Sequence, residues 1–201
     1  MYRVHGDKVI RRRKKYPKYS NIQRYTDILR EDFGNMCGYC GKDLNLVKCP
    51  YQKDHLIPVK IAEKVGRFDL LTDYNNLVFS CRVCNRNKWD NWPFDNVKKL
   101  HDDKVGFVDP ASEEFDQHMM RDEEGRIVAK TQVGKYMYNI FNFQNRLTDV
   151  WWKISVISKE LKEIDCILEH KQTGENLENY WKLHRQFDKF LENLRENNES
   201  I

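Results

Sequence analysis

Two Cys-x-x-Cys pairs constrain this chain more than anything else in it: Cys37-Gly38-Tyr39-Cys40 and Cys81-Arg82-Val83-Cys84, separated by forty residues. The short loop of each pair lets both sulfurs face one ion. Four thiolates so arranged suit tetrahedral Zn²⁺, with Zn–S distances near ~2.3 Å. Gly38 and Gly41 relax the backbone where the first pair must turn. A site filled by four cysteines leaves no coordination position open, so the zinc is expected to be structural and to supply much of the folding free energy of a small domain. The remaining cysteines, Cys49 and Cys166, have no partner pattern. Both are expected to be ordinary thiols, with Cys49 kept as an alternative ligand.

The compartment follows from the same count. Met1 to Lys15 is basic and lacks the apolar stretch of a signal peptide. No apolar run approaches the ~20 residues of a membrane span. A cytoplasmic location is expected, and there cysteines serve more often as metal ligands than as disulfides. With ten Phe, ten Tyr and five Trp in 201 residues, the chain has the material for a real core although 33% of it is charged.

The net charge of +4 conceals a gradient. Residues 1–30 carry ten Lys/Arg against two Asp/Glu, residues 31–100 eleven against nine, and residues 101–201 fourteen against twenty. A basic front and an acidic back suggest that a polyanion meets the N-terminal half. The run Arg11-Arg12-Arg13-Lys14-Lys15 reads as a phosphate-contacting arm over residues 1–19, or more blandly as a solubilising tail.

Ser20 followed by Gln23 is a capping-box pattern, and Ile22, Tyr25, Ile28, Leu29 and Phe33 recur at helical spacing before Gly34. The spacing predicts a helix over 21–33. Val105 to Pro110 reads as a short strand; a second, Arg126 to Ala129, follows the turn signal Glu123-Glu124-Gly125. Leu147, Val150, Trp151, Ile154, Ile157, Leu161, Ile164 and Leu168 then mark one helical face. After Gln172-Thr173-Gly174, a second face follows with Leu177, Tyr180, Trp181, Phe187, Leu191 and Leu194. Two helices of roughly 25 and 20 residues joined by a Gly-containing turn make an antiparallel αα-hairpin. His101, His118 and His184 read as surface or packing residues, and Trp89 to Phe94 as closure of a small core rather than a base-stacking platform.

Between the cysteine pairs stands Lys53-Asp54-His55-Leu56-Ile57-Pro58, then Asn75-Asn76-Leu77-Val78; directly after the second pair comes Asn85-Arg86-Asn87-Lys88. The ordered set C-x-x-C, D-H-x-x-P, N-L, C-x-x-C-N-x-x-K over residues 37–88 resembles the HNH, or ββα-metal, endonuclease family. Leu56 stands where the family usually has Ile, and Asn85 where it has its namesake third histidine. The resemblance implies that His55 is the general base and that Asp54 and Asn85 hold one divalent cation. It also implies that Asn76 braces the loop and orients His55. The chemistry agrees: an imidazole can take a proton from water at neutral pH. A carboxylate and an amide oxygen are hard ligands that suit Mg²⁺ or Mn²⁺. Arg86 and Lys88 fall where a helix would offer them to phosphate. If Asp54 and His55 lie on an extended strand, they point to opposite sides, so a bend or bulge is expected there.

These readings converge on an α+β protein. It would comprise a basic arm (1–19), a zinc-containing ββα-metal nuclease core (20–100), a small β-hairpin extension (101–145) and a C-terminal αα-hairpin (146–199). The function they imply is DNA phosphodiester hydrolysis. The hairpin would serve a protein partner or self-association, and the resemblance extends to restriction and phage-defence subunits that stand beside an ATPase. The competing reading is a non-cleaving zinc-dependent subunit that binds nucleic acid or assembles with a partner.

Overall fold

The computed structural model describes residues 1–46 and 51–197. Cys49, the alternative ligand, lies outside the described residues. The architecture is α+β: two small two-stranded sheets, short helices around them, and two long C-terminal helices packed together.

The first sheet carries the centre of the molecule. Strand β1 (Tyr51–His55) pairs antiparallel with β2 (Leu77–Cys81), in the register Tyr51↔Cys81 to His55↔Leu77. Every residue of β2 is buried, and the run Leu77-Val78-Phe79 fills the principal core. The crossover between the strands holds helix α2 (Val59–Lys64), which starts after Pro58 and closes a satellite core of Ile57, Ala62 and Leu70. β2 then runs without a loop into helix α3 (Arg82–Lys88). Cys81 is the N-cap of α3, and its sulfur accepts the Cys84 N–H at 3.5 Å. The second cysteine pair is therefore the strand-to-helix joint itself.

Ahead of this unit, the chain enters through a 3₁₀ turn (Ile22–Tyr25) and helix α1 (Thr26–Asp32). The predicted Ser20 cap is replaced by Asn21, whose side chain accepts the Gln23 N–H, so the helix begins as a tighter turn than the apolar spacing suggested.

Residues 1–19 do not form a free arm. Tyr2 bridges Arg121 through two backbone hydrogen bonds of 3.0 and 2.7 Å, Val4 and Ile10 enter the core, and Tyr16 packs on Tyr74. The segment is a strap laid across the body.

After α3 comes a single helical turn, α4 (Phe115–His118), which leads into β3 (Met119–Arg121). β3 pairs antiparallel with β4 (Ile127–Ala129) across the Glu123-Glu124-Gly125 turn; the turn and β4 fall where the sequence predicted them, whereas β3 was not anticipated. The strand expected over Val105–Pro110 does not form. Gly106 makes only an isolated bridge to His101. Its φ of +119° breaks the extended run, and Phe107 and Val108 are buried by packing instead of pairing.

Helix α5 (Gln132–Ile140) follows, capped by Thr131. Gly134 lets it close on α4: a Cβ there would come within 2.3 Å of the His118 carbonyl oxygen.

Helices α6 (Thr148–His170) and α7 (Gly174–Glu196) form the αα-hairpin, 23 residues each. The near end, with Val150, Trp151, Ile154 and Leu194, belongs to the principal core. Arg121 ties the modules together from a fully buried position. Its guanidinium donates to the carbonyls of Val4 in the strap, Cys40 in the first cysteine loop, Gly125 in the β3–β4 turn and Thr148 at the start of α6.

Candidate active site and metal centre

The four paired cysteines come together. Cys37, Cys40, Cys81 and Cys84 are buried and free of disulfides, and one sulfur from each lies within 4.8 Å of all the others. Sulfurs at ~2.3 Å from a tetrahedral ion stand about 3.8 Å apart, and Cys40 and Cys81 Sγ are 3.9 Å apart. The group could hold zinc on geometry alone.

Its protonation points the same way. Burial pushes the Cys37 and Cys84 thiols well up, while hydrogen bonds from Cys37 hold Cys40 and Cys81 down. Four thiolates this close together would repel one another, and a bound dication would offset their charge.

Arg146 supplies some of that counter-charge. Its Nη1 lies 3.2 Å from Cys84 Sγ and its Nη2 4.0 Å from Cys81 Sγ. Burial opposes its charge, but the thiolates of Cys84, Cys40 and Cys81 more than offset this and raise its pKa. Hydrogen bonds to ligand atoms of this kind tune and fix a metal site.

Beside this centre, β1 and α3 enclose a cleft of about 430 Å³, lined by Gln52, Lys53, Asp54, His55, Arg82, Asn85, Arg86 and Trp89 among others. Strand alternation puts Gln52 and Asp54 on one face of β1 and Lys53 and His55 on the other. The pairing is one-to-one throughout, so there is no bulge between Asp54 and His55. His55, the last residue of the strand, reaches the cleft from its end.

There its Nε2 lies 2.9 Å from the Leu71 carbonyl oxygen. A carbonyl can only accept, so Nε2 carries a proton, and in the neutral ring the lone pair is on Nδ1.

Among the described residues, no hydrogen bond joins Asn76 to His55. Asn76 staples the two loops on which His55 depends: its Oδ1 accepts the Ile57 N–H at 2.8 Å, and its Nδ2 donates to the Ile57 and Leu70 carbonyls at 3.1 and 3.0 Å. The carbonyl holding His55 is the next one along the chain. Every polar atom of the buried Asn76 amide is used on backbone.

On the α3 face, Asn85 Nδ2 donates to Gln52 Oε1 at 2.6 Å. Asp54 is buried, and its Oδ2 accepts from the Tyr39 hydroxyl at 2.5 Å and lies 3.3 Å from Lys88 Nζ. Burial pushes the Asp54 carboxyl up, and the Lys88 charge pulls it back; burial likewise pushes Lys88 down against the pull of Asp54. Lys88 also donates to the His55 carbonyl at 2.7 Å. This corrects the expectation for Lys88: it is fully buried and cannot meet a phosphate from the surface.

The basic run is likewise redistributed. Arg12 turns inward to the Leu77 carbonyl at 2.8 Å and to Asp109. Arg13 pairs with Asp32 and Glu31, and Arg11 with Glu113. Lys14 and Lys15 are exposed and make no ion pair among the described residues. Arg86 is exposed on α3, one turn from Arg82, and both line the cleft.

Residues 37–91 match the model of the HNH endonuclease family, from the first cysteine pair to just past α3. This stretch is similar to HNH endonuclease domains. Neither the comparison with curated proteins nor that with solved structures gave a match. HNH proteins are in general endonucleases, so the match supports a nuclease-like function.

The HNH region brings Asp54, His55 and Asn85 to one cleft and sets Asn76 behind it. Several contributors were missed by sequence reasoning. Gln52 could have been found, because it lies two residues from Asp54 on the same strand face. Tyr39, hidden inside the first Cys-x-x-Cys, and Arg146, sixty-two residues beyond Cys84, carry no pattern that would single them out. Trp89 is 70% exposed at the cleft rim with φ +44°, whereas Trp92 packs toward Phe107, so the aromatic run 89–94 splits between surface and core.

Proposed function

We propose that the protein is a metal-dependent endonuclease that hydrolyses phosphodiester bonds of DNA, leaving 5′-phosphate and 3′-hydroxyl ends. The observation that carries this reading is His55. Its ring is held by a backbone carbonyl through Nε2, so a free Nδ1 remains in a cleft shared with Asp54 and Asn85.

In this mechanism Nδ1 takes a proton from water, the water oxygen bonds to phosphorus, the bond to the 3′ oxygen breaks, and that oxygen takes a proton from solvent. Asp54, Asn85 and Gln52 offer hard oxygen donors that would hold Mg²⁺ or Mn²⁺. Such an ion would supply positive charge to the phosphoryl oxygens and the departing oxygen. Arg82 and Arg86 would hold the flanking phosphates, with Lys14 and Lys15 as outlying cations. Trp89, exposed at the rim, is placed to stack on an unpaired base. Zn²⁺ in the four-cysteine site would fix the start of α3 and with it Asn85, one residue past Cys84.

One observation favours a second reading, a subunit that binds DNA without cutting it: Asp54 is already engaged by Tyr39 and Lys88.

Nicking of supercoiled plasmid separates the two. Wild type should nick with Mg²⁺ or Mn²⁺ and not with EDTA, and His55→Ala should be slower by about 10²–10⁴-fold. Equal rates for the two proteins would remove His55 from the mechanism. DNA binding without cleavage under every metal condition would favour the second reading.

The far end of the αα-hairpin exposes Ile167, Leu177 and Trp181, which supports docking of a protein partner or a second copy there. A restriction or phage-defence setting, with a partner such as an ATPase, belongs to the same proposal and rests on the family resemblance. No described helix is long and apolar enough to cross a membrane.

A further inference from the structure

Away from the cleft, a second set of metal-ligating side chains converges. His101 comes from the loop that follows the Trp92 segment, while Glu114 and His118 stand one turn apart at the two ends of α4. The Nε2 atoms of His101 and His118 lie 3.0 and 3.3 Å from the same oxygen, Glu114 Oε1. All three ligand atoms fall within 4.8 Å of one another.

Nitrogen and oxygen ligands at ~2.0–2.1 Å from a tetrahedral ion stand about 3.3 Å apart. The two separations through Glu114 are therefore close to those of neighbouring ligands on one ion.

The outer ring nitrogen of His118 is also prepared, and that of His101 has a carboxylate nearby. A metal-bound imidazole usually donates its other N–H to an oxygen that fixes the ring. His118 Nδ1 is 2.7 Å from Thr131 Oγ1, which is itself anchored by the Gly134 N–H at the start of α5. His101 Nδ1 is 3.7 Å from the Asp103 carboxylate. The Asp103 backbone N–H also approaches that nitrogen, but at 3.4 Å, the outer limit of a hydrogen bond, so carrying the ring proton there gives up little. The two imidazoles are largely buried and Glu114 is half open, which leaves one side of the group facing water.

We propose that His101, Glu114 and His118 form a second divalent-cation site of the zinc class, with three protein ligands and one position for water. Two imidazoles and one carboxylate suit Zn²⁺ and its neighbours better than Mg²⁺, which prefers all-oxygen surroundings. The ion takes the Nε2 lone pairs of both rings, so any proton held between those nitrogens and Glu114 is released on binding. It clamps the 101–106 loop to α4 and, through Thr131, to α5, far in sequence from both the four-cysteine centre and His55.

The test is zinc stoichiometry of the full chain by plasma mass spectrometry, after equilibration with micromolar Zn²⁺ and removal of the unbound ion. Wild type should carry one ion more per chain than His101→Ala and one more than Glu114→Gln. The Glu114 variant is nearly isosteric and half exposed, so its fold should survive, and far-ultraviolet circular dichroism checks that. Equal zinc counts in wild type and a folded Glu114→Gln would overturn the proposal.

Discussion

Around the four cysteines, burial is complete and the contacts are long in sequence. Leu77, Val78 and Phe79 are out of solvent, and Arg121 and Arg146 reach in from positions far along the chain. Along the αα-hairpin, burial fades with distance from the body. Ile154 is fully buried, Leu161 is near the limit, and Ile167, Leu177 and Trp181 are open to water. The two regions show different sources of order. The HNH region is held by convergence of remote groups on a few polar and metal-ligating atoms, whereas the hairpin is held by the regular stacking of two helices and needs the body only at its near end.

The largest test of that contrast is removal of the four-cysteine site. Structural zinc in small domains contributes on the order of 10 kcal/mol to folding. Cys81→Ser, or extraction of metal with a strong chelator, should abolish the cooperative unfolding transition of the front of the molecule while leaving much of the α6–α7 helicity. Calorimetry reads the first and far-ultraviolet circular dichroism the second. An unchanged transition would mean that the thiol cluster does not organise the core.

Next in size is the Lys88–Asp54 pair. Lys88→Met removes one partner of a buried ion pair and leaves Asp54 with Tyr39 alone, a change that typically costs about 3–5 kcal/mol. Denaturant titration should show most of that loss, and Asp54→Asn in the same chain should restore part of it. If Lys88→Met is nearly neutral, the Asp54 carboxyl is protonated or solvated and the buried pair is not an ionic one.

His5 gives a smaller effect with a defined pH window. Its Nε2 lies 2.7 Å from the Gly38 carbonyl, inside the first cysteine loop, and burial lowers its pKa from 6.5 to about 4. The unfolded chain therefore takes up a proton first as pH falls. The stability from a neutral His5 is complete above pH 6.5, is lost progressively down to pH 4, and changes no further below that. The full difference is about 3 kcal/mol. Thiolate protonation also acts in this window, so the readout is the difference between wild type and His5→Gln measured at each pH. Parallel curves would show that His5 titrates alike in both states.

The front region was legible because its signals are local: residue type and spacing name Cys37, Cys40, Cys81 and Cys84, the resemblance carried by the ordered motif names Asp54, His55 and Asn85, and the structure gathers the first four into one cluster and the last three into one cleft. The hairpin was legible from apolar periodicity and the Thr173-Gly174 break.

What sequence could not supply was the inward turning of charge. Arg12, Lys88 and Arg121 all donate to backbone carbonyls, at Leu77, His55 and four separate loops respectively. A carbonyl has no residue identity, so such a bond leaves no mark on the pattern. The run Arg11 to Lys15 therefore read as an arm, although Arg11, Arg12 and Arg13 are spent on Glu113, Asp109, Asp32 and Glu31. The convergence of His101 on Glu114 and His118 escaped for a related reason: the chain between them is irregular, and no period relates their positions.

The smallest expected effect lies at the far end of the hairpin. Trp181 is 58% exposed and packs only loosely, with Tyr180 at 5.6 Å and His184 at 6.3 Å between ring centroids. Trp181→Ser should change stability by no more than about 0.5 kcal/mol, as surface substitutions usually do. Ile154→Ala on the partner helix, fully buried, should cost about 2–5 kcal/mol. If the exposed end is a docking face, Trp181→Ser should act on association instead, lowering the concentration-dependent mass seen by sedimentation equilibrium, or the affinity for a bound partner. A large loss of folding stability from Trp181→Ser would instead mean that the far end is held as firmly as the near one, and the contrast between the two regions would fail at the point where it is most clearly drawn.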